Sequence, residues 1–115
     1  MLKKIPELVK EARVSLNVIT AKEAAIKVKE VNGLVLDVRE MIEVDKKPVQ
    51  GVINIPRGIL EPQMLQRFPD ENLPLFLHCA SGVRATFSAE QLTRVGYKNV
   101  TVISCSIDDV CQAFA

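Results

Sequence analysis

Short apolar runs alternating with helix-patterned stretches constrain this chain more than any other feature. Asn17-Val18-Ile19, Leu34-Val35-Leu36, Leu75-Phe76-Leu77 and Val100-Thr101-Val102-Ile103 are each only three or four residues long. Between them, apolar residues recur at helical spacing over residues 21–31, 60–68 and 85–95. Strands that are apolar throughout are covered on both faces, and helical crossovers between them make a sheet parallel. The expectation is an α/β domain with a mostly parallel sheet and helices on both faces. A chain of 115 residues can bury one core without staples. With no internal repeat and no low-complexity tract, residues 1–115 read as one domain.

Residues 3–14 mix charged and apolar side chains, with Ile5, Leu8, Val9 and Ala12 on one helical face and Pro6 in the first turn. Residues 1–15 are therefore expected to form an N-terminal helical extension. Thr20 and Glu23 have the spacing of a capping box, and Ala24, Ala25, Val28 and Val31 supply the apolar face of the helix, which Asn32-Gly33 ends. Residues 39–50 (REMIEVDKKPVQ) read as charged and irregular, and GVINIP as a short strand stopped by Pro56. Pro62 confines the interior of the helix over 60–68 to the residues after it. From Ala85 to Val95 a helix is expected with Phe87, Leu92 and Val95 inward and Gly96 at its end; residues 107–114 read as a terminal helix.

Composition excludes several classes. Hydrophobic residues make 48% and charged residues 25%, the balance of a globular protein rather than a disordered chain. A net charge of +1 gives no global field for nucleic acid, and 4% aromatics give no base-stacking platform. Glu7, Lys10, Glu11 and Arg13 interrupt the opening segment, so neither a secretory leader nor a membrane span is expected. The chain is expected in the cytoplasm, where thiols stay reduced. Three cysteines, one histidine and no CxxC argue against a disulfide framework and a Cys/His zinc centre.

The chemistry concentrates at Cys79. It directly follows the most apolar strand and precedes a helix, and in parallel α/β sheets ligands bind at the carboxyl ends of strands. A loop entering a helix there points N–H groups at an anion, and the helix dipole adds positive potential. Arg84 lies five residues on. All three features favour a thiolate that can attack a sulfur atom and carry it as a persulfide. Gly82 supplies the conformational freedom a tight loop needs, and Ser81 a hydroxyl. The alternative is a small buried thiol beside a surface arginine. Either role also stays open for Arg57, as a donor-attracting cation or a structural one. Asp37 and Arg39 read as a structural pair. His78, adjacent to Cys79 on a strand, points to the opposite face, and Cys111 reads as packing.

These residues resemble the rhodanese family over about residues 17–114. HCASGVRA (78–85) is similar to its active-site loop, LDVRE (36–40) with Glu43 to a characteristic segment, GVINIPRG (51–58) to its GAINIPRG stretch, and VGYKNV (95–100) to its turn into the final strand. The resemblance implies a three-layer α/β domain with a five-stranded, mainly parallel sheet. It implies transfer of sulfane sulfur from thiosulfate, polysulfide or a persulfide to a thiol or cyanide, through a Cys79 persulfide. Ala80, Ser81, Gly82 and Val83 would bind the substrate and Arg84 would close the loop, with no metal or organic cofactor implied. Related phosphatases carry one more residue between Cys and Arg, so the four residues here imply the sulfurtransferase ring. A non-catalytic binding or regulatory module of the same fold is the competing class. The family's histidine before the AINIP stretch is replaced by Pro48, and its glycine pair after the last strand by Cys105 and Ser106. Because that strand neighbours the one ending at Cys79 in this fold, Cys105 is a candidate resolving thiol.

Overall fold

The computed structural model describes residues 1–115. The chain runs α1 (Ile5–Arg13), β1 (Asn17–Ile19), α2 (Ala21–Val31), β2 (Leu34–Asp37), α3 (Met41–Lys46), β3 (Ile53–Asn54), a 3₁₀ turn (Arg57–Ile59), α4 (Leu60–Arg67), β4 (Leu75–His78), α5 (Val83–Val95), β5 (Val100–Ile103) and α6 (Ile107–Ala113). The five strands form one sheet in the order β1-β5-β4-β2-β3, and every pairing is parallel. Register sets Leu36 beside Leu77 and Asp37 beside His78. β4 therefore lies at the centre, with its carboxyl end leading straight into Cys79.

The period of two along the strands sorts the core into two layers. Leu36, Leu75, Leu77 and Val102 join Leu60 and Met64 of α4 and Ala85, Ala89 and Leu92 of α5 on one face. Val35, Phe76 and Ile103 join Ala21 and Ala24 of α2 and Val110 of α6 on the other. α1 packs outside this sandwich, against α5. No helix is long and apolar enough to cross a membrane.

The local signals explain most of these boundaries. Thr20 and Glu23 form the reciprocal capping box that opens α2. At its other end Asn32, not Gly33, takes the left-handed conformation, with φ 53°. Gly33 serves a different need, because a Cβ there would sit 2.5 Å from the Phe76 ring. Pro62 is the third residue of α4, inside the first turn where no N–H partner is lost.

Three expectations fail in detail. Residues 39–50 are not irregular: α3 forms there although it buries no residue, because Glu40 and Glu43 cap it reciprocally. On α5 Leu92 is inward as expected, but the rest of the buried face is Ala85, Thr86, Ser88 and Ala89, small residues that let the helix lie close on the sheet, while Val95 is exposed. On α1 the expected face holds for Ala12, which is buried, and for Leu8 and Val9, which are half-buried, but Ile5 is half exposed.

Candidate active site

Cys79 leaves the end of β4 and is 1% exposed. The chain then turns through Ala80 and Ser81 to Gly82, the N-cap residue of α5, with φ +96°. That conformation is open to glycine and aims its N–H back at the sulfur. Cys79 Sγ accepts from the N–H of Gly82 at 3.1 Å and of Ala85 at 3.4 Å. Both donors belong to the first turn of a 13-residue helix, whose orphan amides and dipole favour an anion at that point. The loop is anchored from outside as well, since the Ile107 N–H donates to the Ala80 carbonyl at 2.9 Å.

Arg84 turns away from the loop's interior toward α3. Its Nη1 and Nη2 donate to Glu43 Oε2 and Oε1 at 2.7 and 2.8 Å, a bidentate pair that is about one-third exposed. The Arg84 guanidinium, against the opposing pull of burial and with help from the Glu40 N–H, holds the Glu43 carboxyl down to about 2. The same hydrogen bonds raise Arg84 above its ordinary value. Glu43 also accepts from the Glu40 N–H at 2.9 Å. One carboxylate thus starts helix α3 and clamps the first turn of α5.

Asp37 and Arg39 form a second, fully buried pair on the opposite face of the sheet from Cys79. Arg39 Nη2 donates to Asp37 Oδ2 at 2.7 Å and Nε donates to Oδ1 at 3.0 Å. Arg39 Nη2 also donates to the Lys47 carbonyl at 2.8 Å, closing the last turn of α3. Asn54 Nδ2 reaches the carbonyls of Asp37 and Arg39, both at 2.9 Å. These contacts fix the height of α3 and so the position of Glu43. His78 lies beside this pair, fully buried, its Nε2 3.8 Å from Asp37 Oδ2. Burial pushes its pKa below the ordinary 6.5, against the opposing pull of Asp37.

Ala80–Val83 thus make the turn that follows Cys79, Arg84 stands in the first turn of α5 with its guanidinium on Glu43, and two other candidates, Arg57 and Cys105, are held elsewhere. Arg57 Nη1 is held by Glu61, one turn along, at 2.8 Å. Cys105 Sγ accepts from the Ala21 N–H at 3.2 Å, at the start of α2. It packs in the layer opposite the one holding Cys79. A Cys79–Cys105 disulfide would need one of those sulfurs to leave its amide and cross the sheet edge. Cys111 lies near the Pro48 carbonyl on that same far side. No group of three or more His, Cys, Asp or Glu side chains converges on a common point.

Two residues at the loop carry no signal in the motif. Thr86 is fully buried, its hydroxyl donating to the Gly82 carbonyl at 2.7 Å. Arg13, from α1, donates through Nε to Thr86 Oγ1 at 3.0 Å. The one hint in the sequence is spacing: Arg13 follows Val9 by four residues, on the helix face that turns inward.

Comparison with known proteins agrees with this geometry. Residues 20–113 match the rhodanese-like domain. A region of 66 residues, 57% of this chain, is 35% identical to YrkF of Bacillus subtilis (strain 168), described as a proposed sulfur carrier protein; the match spans 35% of that protein's length. The polysulfide-sulfur transferase homodimer of Wolinella succinogenes superposes with a TM-score of 0.76 at 24% identity, over 92% of this chain and 80% of that one. A Rhodopseudomonas palustris protein of unknown function, described as a possible tyrosine phosphatase, gives 0.84 at 21% identity, over 98% of this chain and 92% of its own. At those identities the two structures speak to the fold alone, whereas the match to the family, over residues 20–113, spans nearly everything downstream of α1. With its five parallel strands and a cysteine loop at the centre of their carboxyl edge, the chain belongs to the rhodanese-like domain family.

Proposed function

We propose that this protein moves sulfane sulfur from thiosulfate, polysulfide or a small persulfide to a thiol or to cyanide, with Cys79 as carrier. Membership of the family, together with relatives described as a sulfur carrier and a polysulfide-sulfur transferase, supports sulfur transfer in general. The observation that carries the finer reading is the pair of amides, from Gly82 and Ala85, aimed at one buried sulfur. In the first half-reaction the Cys79 thiolate attacks the outer sulfur of the donor. A new S–S bond forms, the donor's own bond to that sulfur breaks, and its electron pair leaves with the departing group, sulfite in the case of thiosulfate. The outer sulfur of the persulfide then lies about 2 Å beyond Sγ and carries the negative charge. In the second half-reaction the acceptor attacks that outer sulfur, the S–S bond breaks, and its electrons return to Cys79. The amides stabilise the anion in both resting forms.

In this reading Ala80–Val83 form the sulfur cradle and Arg84 closes it through Glu43. Asp37 and Arg39 hold the framework. Arg57 lies at the same sheet edge and can favour an anionic donor once released from Glu61. The ring holds four residues between Cys79 and Arg84, which leaves it small for a phosphate. The setting is a reducing cytoplasm, with no metal or organic cofactor.

Intact-mass measurement after incubation with thiosulfate, polysulfide or a persulfide tests this. One sulfur atom should be gained, mapped to the Cys79 peptide, and lost on adding cyanide; Cys79→Ser should gain none. Absence of any gain across the donors would leave a non-catalytic binding module as the better description. The same peptide map should contain no Cys79–Cys105 linked pair, given the opposite placement of the two sulfurs.

A further inference from the structure

Glycine at an N-cap is the weakest point of a cradle built from backbone. It has no side chain to hold it, and it is free to rotate into either sign of φ. Here the orientation of the Gly82 N–H decides whether the sulfur keeps its nearer amide. The Gly82 carbonyl is correspondingly the most heavily held in the loop. It accepts from the Thr86 N–H at 3.0 Å, from the Thr86 hydroxyl at 2.7 Å, and from Arg13 Nη2 at 3.5 Å. Arg13 Nε meanwhile donates to the same Thr86 hydroxyl, which fixes the direction of its proton toward Gly82. A Cβ on Gly82 would lie 2.8 Å from Arg13 Nη2 and 3.3 Å from the Ser104 carbonyl, so the residue is pressed between α1 and the end of β5.

Two further facts set Arg13 apart. Every other arginine of the framework around the loop has its charge met by a carboxylate: Arg39 by Asp37, Arg57 by Glu61 and Arg84 by Glu43. Arg13 has only a hydroxyl and a carbonyl. It also lies outside the region that matches the family, which begins at residue 20. Along the rest of the seam a groove of about 430 Å³ runs between α1 and Ser81 and Val83 of the loop, and Arg13 is the side chain that bridges it.

We propose that Arg13 is a positioning residue of the Cys79 loop: through Thr86 and the Gly82 carbonyl it locks the left-handed Gly82 peptide so that its N–H faces the sulfur. Helix α1 is then a working part of the site rather than an appendage. The proposal extends the sulfur-transfer reading, but its physical content is the grip of the amides on Cys79, which can be measured with no sulfur donor present.

The test uses the full chain carrying Arg13→Gln, Arg13→Lys or Thr86→Val, with Lys3→Ala as a control that disturbs only the exposed Lys3–Glu11 pair of α1. Three quantities are followed: the rate at which iodoacetamide alkylates Cys79, read by peptide mapping at one pH; deuterium exchange at the Gly82 amide; and steady-state transfer from thiosulfate to cyanide. Losing one such hydrogen-bond relay should slow alkylation and kcat about three- to tenfold in Arg13→Gln and Thr86→Val, with KM for thiosulfate within about twofold. Gly82 exchange should quicken in both. Arg13→Lys should recover part of each loss, and Lys3→Ala should match the parent. Unchanged alkylation and exchange in Arg13→Gln and Thr86→Val would overturn the proposal, and so would a rise in KM alone, which would make Arg13 an anion attractor. If the parent protein transfers no sulfur, the reading of function fails while the first two measurements still decide the role of Arg13.

Discussion

Helix α3 is held at both ends by an arginine–carboxylate pair, and the two pairs work under different conditions. Asp37–Arg39 is all but sealed from solvent, its side chains 0% and 3% exposed, and its remaining donors are spent on backbone carbonyls. Glu43–Arg84 is also bidentate, but end-on through Nη1 and Nη2 rather than side-on through Nε and Nη2, and its side chains are 34% and 35% exposed. The first pair cannot be opened without leaving a charge in the interior. The second can exchange its partner for water at small cost. Both pairs join a guanidinium to a carboxylate, so burial is the main thing that separates a fixed strut from an adjustable clasp, and the clasp is the one that touches the sulfur loop.

Breaking the strut should produce the largest effect. Asp37→Ala leaves the Arg39 guanidinium buried and unpaired, and about 3–5 kcal/mol of stability should be lost. Removing both charges together in an Asp37→Leu/Arg39→Met variant should recover much of that loss. Urea denaturation of the three proteins measures it. A loss under about 1 kcal/mol for Asp37→Ala would mean that water reaches Arg39 and that the contrast is false.

Opening the clasp should separate stability from activity. Arg84→Ala and Glu43→Gln should each change unfolding free energy by no more than about 1 kcal/mol, the range for pairs screened by solvent. Transfer from thiosulfate to cyanide should nonetheless fall roughly tenfold, because the first turn of α5 loses its tie to α3. Equal losses of stability and rate in both pairs would erase the distinction.

The smallest effect sharpens the comparison through pH. Glu43 is depressed from 4.5 to about 2, so its contribution is present above 4.5 and lost as pH falls toward 2. His78, beside the strut, is depressed by burial from 6.5. Below 6.5 the unfolded chain takes up a proton that the folded one refuses, so stability declines as pH falls through that value until the folded imidazole itself titrates. Thermal unfolding between pH 7 and 5 should show this slope, and His78→Gln should flatten it. A slope unaltered by that substitution would assign it to other groups.

Much of this was legible beforehand, for reasons that can be named. The central strands β2, β4 and β5 were visible because each is largely apolar on both faces, as burial inside a parallel sheet requires. The Cys79 loop was visible because its chemistry is compressed into consecutive residues, 79–84. α3 was hidden because it has no apolar face; reciprocal caps and Arg39 sustain it, and those contacts come from side chains that read singly as surface charge. The inward face of α5 was misread toward Phe87 and Val95 because close packing on the sheet selects Ala85, Thr86 and Ala89, residues with little hydrophobic signal. The position of Cys105 was beyond reach, since side-chain direction in the turn after β5 depends on the α2 amide it meets. Arg13 was hidden by distance, 69 residues from the glycine it touches.

That distance has a consequence for the order in which the molecule assembles. β1 pairs only with β5, and Asn17 is 84 residues from its partner Thr101. Closing so long a loop is entropically slow, so the pairing belongs to the late phase of folding. Arg13 sits just upstream of β1 and is delivered to the loop by the same docking event. A chain still emerging from the ribosome can form β2, β3 and β4 and hold Cys79 at the end of its strand. Its reactive sulfur gains the last restraint on its cradle only when β5 is in place. Pulsed alkylation of Cys79 during refolding should therefore reach its native rate only after the helical signal has appeared, and that rate would report completion of the whole sheet.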